Sequence, residues 1–306
     1  MSTLDELWNF DDPAASETRF RDAIAAAEAT GDPDALATAD EARTQLARSL
    51  GLQGRFAEGD AILDALDAAA NVGAAGAVDT AHSAKGRIRV RAHLERGRLR
   101  RSGGDPAAAA PHIEAAWALA RTLGEDGLAV DAAHMLALVD AAPGEATWHE
   151  RALDLADTSP DPAARKWRGS LWNNIGWARF GASDVDGALV AFETALEARR
   201  GQGQAKETRV AEWCVARALR ALGKPDEALA IQERLVTETA AAGDAEDGYM
   251  SEEIAECLLE LGRHAEATPH FARAADLLGA DTWLTAQEPE RIDRLRALGA
   301  AGRGDR

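Results

Sequence analysis

The chain is poor in cysteine, in tyrosine and in long apolar runs. Its two cysteines, Cys214 and Cys257, have no Cys-x-x-Cys spacing. Neither a disulfide framework nor a thiolate metal site follows from them, and a reduced, cytoplasmic setting is the natural reading. With one Tyr, six Phe and no alternating β-branched run, no stretch reads as a strand. No apolar run reaches the ~18 residues of a membrane span. Residues 1–10 lack the basic start and apolar centre of a signal peptide. Positive charge is also scarce: 34 Lys and Arg stand against 52 Asp and Glu, a net of -18. That balance favours solubility and disfavours nonspecific nucleic-acid binding.

Catalytic signatures are missing as well. Gly54-x4-Gly59 is followed by Asp60 rather than Lys, so it is no phosphate loop. Asp184-x-Asp186-Gly187 has Ala195 where a calcium loop needs its bidentate Glu. None of the seven histidines pairs with Cys or another His at ligand spacing. No catalytic residue, metal ligand or cofactor is therefore assigned, and the chain does not read as an enzyme.

What is present is periodicity. Gly97, Ala137, Gly176, Ala216 and Ala255 are spaced 40, 39, 40 and 39 apart. Seven residues after each comes a turn: Gly104-Asp105, Gly144-Glu145, Ser183-Asp184, Gly223-Lys224 and Gly262-Arg263. Ala47 and Gly54-Arg55 keep that offset but sit 50 residues before the next member. The Ala/Gly-rich stretch 68–78 accounts for the longer gap, as either a lengthened helix or a loop. Self-similarity at this period means stacked helical hairpins.

In the clearest repeat, Trp172, Ile175, Gly176 and Arg179 share one helical face. Gly176 lets a neighbouring helix come close, and Trp172 reads as core. Ser183-Asp184 breaks the helix and caps the next, which carries Ala188, Phe192 and Ala195. This pattern resembles the tetratricopeptide repeat, with Arg179 in place of the usual Tyr. Repeats of 39 or 40 residues resemble its regulatory branch, which includes kinesin light chains, signalling-peptide receptors and sensor regions of large transcription activators. The resemblance implies an all-α, right-handed solenoid of about six hairpins with capping helices. The divisions are a capping helix over 1–30, the superhelix over 31–280, a closing helix over 281–299 and a tail over 300–306. Trp8 and Phe10 cap the first end. The third repeat fits worst: His149 falls where a small residue belongs, and Pro143 marks the start of its second helix.

The charge pattern points to a binding surface. Residues 85–101 hold eight basic residues and one acid, Glu95. Arg87, Arg91, Arg98 and Arg101 fall on one helical stripe. By the resemblance, the first helix of each hairpin lines a concave groove. The groove would then show Arg48, Arg91, Leu94, Arg98, Arg101, His134, Asn173, Asn174, Trp177, Trp213, Arg217 and Arg220. Asparagines there would hold a ligand's backbone and arginines would clamp a carboxylate. The competing reading is a solvated or self-paired face, with Trp177 and Trp213 used in packing between repeats. The expected partner is a protein or peptide segment, acidic or carboxylate-bearing, bound by an adaptor or regulatory sensor. A second reading is a self-associating scaffold, because residues 244–260 carry seven acids and no Lys or Arg. An enzyme or small-molecule receptor in the same stack ranks third. Arg303-Gly304-Asp305 is a chance tripeptide on the tail.

Overall fold

A computed structural model describes residues 4–72, 84–139 and 147–301. The expected turn at Gly144-Glu145, the start at Pro143, most of the stretch 68–78 and Arg303-Gly304-Asp305 lie outside the described residues. Among the described residues the structure is all-α, with no strand. A 3-10 turn, Leu4–Leu7, leads into α1 (Pro13–Thr30). Three hairpins follow: α2 (Pro33–Leu52) with α3 (Phe56–Val72), α4 (Ala84–Ser102) with α5 (Pro106–Leu123), and α6 (Asp126–Val139) with α7 (Trp148–Thr158). The one-turn helix α8 (Pro162–Arg165) comes next. Three more hairpins are α9 (Arg168–Gly181) with α10 (Val185–Gly201), α11 (Ala205–Ala221) with α12 (Pro225–Ala241), and α13 (Gly248–Glu260) with α14 (His264–Leu278). A short α15 (Thr282–Gln287) leads to α16 (Pro289–Ala300), which packs on α14. The residues expected as one run over 31–280 fall into two compact units, 1–168 and 169–306.

One turn closes five of the hairpins. The N–H of the residue after each left-handed position bonds back five residues into the helix. Arg55, Asp105, Asp184, Lys224 and Arg263 donate to the carbonyls of Leu50, Arg100, Arg179, Leu219 and Leu258 at 2.8–3.0 Å. This satisfies the orphan carbonyls of a helix end and needs a positive φ one residue earlier. Glycine supplies it four times; Ser183, at φ 65°, is the exception. In two hairpins the donor then caps the next helix: Asp105 accepts from Ala108 N–H and Asp184 from Gly187 N–H.

The recurring small residue is the contact point within a hairpin. A Cβ on Gly97 would meet Ile113 at 2.3 Å, and one on Gly176 would meet Phe192 at 2.4 Å. Both partners lie 16 residues on. At the same offset from Ala47, Ala216 and Ala255 stand Leu63, Gln232 and Phe271, all buried. Each hairpin thus seats a large side chain in a notch left by a small one, with dispersion contacts on every side.

Gln232 is a polar residue in that apolar seat. It is fully buried, and neither side-chain amide atom has a hydrogen-bond partner. Leaving such groups unpaired costs roughly 1–3 kcal/mol. Gln232→Leu should therefore raise the unfolding free energy by about that much in a urea titration. A lower midpoint would mean that the amide is bonded in solution.

Two expectations change. Trp172 is only half-buried, and the adjacent Leu171 is fully buried instead. In the third hairpin Ala137 is half-buried, whereas Ala129, Ala132 and Ala133 are fully buried. Its second helix begins at Trp148, where Thr147 and Glu150 form a reciprocal capping box. Starting there moves the buried positions to Ala152, Leu155 and Ala156, and His149 becomes a half-buried residue of the first turn.

Candidate functional site

The first helix of each hairpin in the first unit presents a polar stripe to its neighbours. Glu41, Gln45 and Arg48 recur on one face of α2, and Arg87, Arg91, Glu95 and Arg98 on one face of α4. These stripes are bonded together. Glu41 accepts from Arg87 at 2.9 Å and from Arg91 at 2.6 Å, and Arg87 reaches Glu125 at 2.6 Å. Gln45 Nε2 donates to Glu95 at 3.4 Å. Arg98 donates to Glu95 at 2.6 Å and pairs with Asp131 of α6. Glu95 is 1% exposed and Asp131 8% exposed, so two carboxylates are desolvated against one guanidinium. Burial alone would raise the pKa of Asp131, yet Arg98 and Arg48 hold it below the usual carboxylate value.

The clamp expected from the sequence is therefore not open. Arg91 and Arg98 are saturated by the chain's own acids from the neighbouring helices. The cause is the acid excess: almost any arginine on such a stripe faces a carboxylate one repeat away. Arg101 is exposed, and no carboxylate bonds to it among the described residues. Arg48 likewise pairs with no carboxylate. Its guanidinium lies 5.4 Å from the Trp8 ring centroid and 5.3 Å from that of Phe10, in cation–π contact with both. His134 is half-buried, its ring 5.2 Å from that of Trp167.

Burial pushes the His134 pKa down to about 4. His93, His112, His149 and His270 are also lowered, mainly by burial. The unfolded chain takes up protons as pH falls below ~6.5, while the folded histidines resist. Stability is thus full above that pH and is lost on the way down toward pH 4. Between pH 7.5 and pH 5, His134 alone should account for about 2 kcal/mol. Urea midpoints that stay flat over that range, or His134→Phe falling as steeply as wild type, would refute this.

The second unit brings its own expected residues together. Trp177 of α9, Trp213 of α11 and Tyr249 of α13 form a line of rings, with centroids 6.0 and 6.2 Å apart. Trp213 Nε1–H donates to the Tyr249 carbonyl at 3.3 Å. Trp177 and Trp213 are partly exposed and Tyr249 is 36% exposed. Asn173 lies beside this line and accepts from the Cys214 thiol at 3.3 Å. That thiol is buried, and its pKa is pushed up to about 12. Asn174 is half-buried and likewise engaged. Arg217 lies over Phe180 and Trp213 and pairs with Glu253. Arg220 donates to Glu253 at 2.9 Å and to Glu260 at 2.7 Å.

The acidic stripe is consumed in the same way. Glu252 and Glu256 pair with Arg291 and Arg294 of α16, beside the Glu253 and Glu260 pairs with α11. Tyr249 and Arg291, whose guanidinium is 5.2 Å from the tyrosine ring centroid, were not among the expected site residues. A signal for Tyr249 existed: Trp177, Trp213 and Tyr249 are 36 residues apart in succession.

Among the described residues no helix is long and apolar enough to cross a membrane, and no three His, Cys, Asp or Glu are grouped to hold a metal ion. No family model and no curated protein matches the chain. Solved structures similar to it contain tetratricopeptide repeats. A putative kinesin light chain of Podosopora anserina with nearly identical TPR-like repeats is 15% identical, covering 85% of this chain and 94% of its own, at a TM-score of 0.34. BtubC (BKLC) from P. vanneervenii is 14% identical, covering 100% and 94%, at 0.36. The P58(IPK) TPR domain is 14% identical, covering 96% and 95%, at 0.36. At such scores the likeness extends to the kind of fold only; the hairpins themselves rest on the turns and notches described above.

Proposed function

We propose that this chain is a binding module, an adaptor or regulatory sensor without catalysis of its own. It would take a peptide or protein segment across the first helices of its hairpins. The observation that carries this reading is the line of Trp177, Trp213 and Tyr249. Three successive helices each leave one large aromatic ring partly open to solvent, where an apolar side chain of a ligand gains burial.

The ligand's carboxylates carry less of the affinity than the basic stripe alone implies. Arg91, Arg98, Arg217 and Arg220 already have partners, so an incoming acid would exchange one carboxylate for another with little net gain. Arg101 and Arg48 are the cations left for an acidic flank.

Selection of displayed peptides on the intact protein tests this. Peptides that bind wild type should lose tenfold or more in affinity for Trp213→Ala, about 1.4 kcal/mol. Their binding should weaken only modestly as salt is raised. Selected peptides that bind Trp213→Ala as well as wild type would overturn the reading.

A further inference from the structure

The segment before α1 lies on the same face of the first unit that carries the candidate residues. Trp8 Nε1–H donates to Gln45 at 3.2 Å, and Gln45 is the residue that reaches Glu95. The rings of Trp8 and Phe10 stack, with centroids 4.5 Å apart and planes 5° from parallel. Arg48 lies over both rings. The segment is anchored behind them, where Asn9 N–H donates to Ser16 Oγ at 2.7 Å and Ser16 Oγ–H donates back to the Asn9 carbonyl at 2.9 Å. In front, Trp8 meets Phe20 edge to face at 5.1 Å.

Three features separate this arrangement from an ordinary helix cap. Phe10 remains 57% exposed, so it buries little apolar surface for a residue in a fixed stack. Residues 4–12 carry Asp5, Glu6, Asp11 and Asp12 and no basic residue, a charge opposite to that of the arginine stripe. Arg48 is the stripe arginine that meets this segment's rings rather than a carboxylate. The segment thus stands where a ligand with an aromatic anchor and acidic flanks would stand.

We propose that residues 4–12 are a tethered cover, which occupies Gln45 and Arg48 and has to lift before that end of the α2–α4 face can take a partner. The proposal rests on the reading of these helix faces as a peptide site. Being intramolecular, the cover competes at the effective concentration of a short tether, in the millimolar range. A partner in solution must exceed that, and anything that weakens the Trp8–Phe10 stack opens the site without altering it.

The test uses the full chain and a fluorescein-labelled peptide with the sequence of residues 4–12. Trp8→Ser/Phe10→Ser should bind this peptide at least tenfold more tightly than wild type does. Adding Arg48→Ala should remove the gain. Because Trp8 also touches Phe20, Phe10→Ser alone serves as a second variant that leaves the anchor in place, and it should show a smaller gain. Circular dichroism melts identify the variants that remain folded. Equal binding to wild type and to the folded variants, no binding to any of them, or a gain indifferent to Arg48→Ala would each overturn the cover. That failure would leave the Trp213-dependent peptides of the earlier selection bound, whereas failure of the binding-face reading would remove them.

Discussion

Gly176→Leu should destabilise the second unit by about 3 kcal/mol, at the upper end of what an overpacked contact costs. A mere Cβ at this position would stand 2.4 Å from two atoms of the Phe192 ring, and that ring is fully buried and cannot swing aside. Removing the ring should relieve the clash. Adding Phe192→Ala to Gly176→Leu should recover part of the loss, and the two changes should be strongly non-additive in a double-mutant cycle. Gly181 is the control, since nothing lies within 4 Å of its missing Cβ. Gly181→Ala should melt at or above the wild-type temperature. A Gly176→Leu melt that coincides with wild type would mean that the hairpin contact is drawn in the wrong register.

Arg98→Glu should be the more damaging surface-stripe substitution, by about 3–5 kcal/mol. The reason lies in its partners. Glu95 and Asp131 are both buried, and Arg98 supplies the positive charge bonded to each of them. Reversal would leave three carboxylates together in a low-dielectric site. Loss of helical signal at a lower urea concentration is the expected readout. An unchanged midpoint would show that the two acids are satisfied by other groups. Arg101→Glu, on an exposed position of the same helix, should change stability by less than about 0.5 kcal/mol. It is therefore the variant that can report on ligand charge without disturbing the fold.

The contrast between those two arginines marks where sequence reasoning stops. Gly176, the Ser183 turn and Phe192 lie within 16 residues of one another, so their pattern can be read locally, and it repeats. Whether Arg98 is open or paired depends on Asp131, 33 residues away and on another helix. No local rule reports that distance. The third hairpin failed for a different reason: a capping box at Thr147 and Glu150 set the start of its second helix and outweighed the small-residue spacing. The aromatic line was legible in principle. Its step of 36 residues is about one helical turn shorter than the repeat, as a diagonal path across parallel first helices requires. A search for the 39-residue step alone passes over it.

The pairing of arginines with carboxylates across neighbouring helices also bears on how fast anything can be caught. A face whose charges are already neutralised casts little field into solvent, and the remaining net charge of -18 is spread over the chain. A visitor would be neither drawn in nor aimed. Its capture would proceed at the ~10⁵–10⁶ M⁻¹s⁻¹ of unsteered encounters, insensitive to salt. Discrimination between a proper partner and a stranger would then reside in residence time, set by how long an aromatic contact holds before the two diffuse apart.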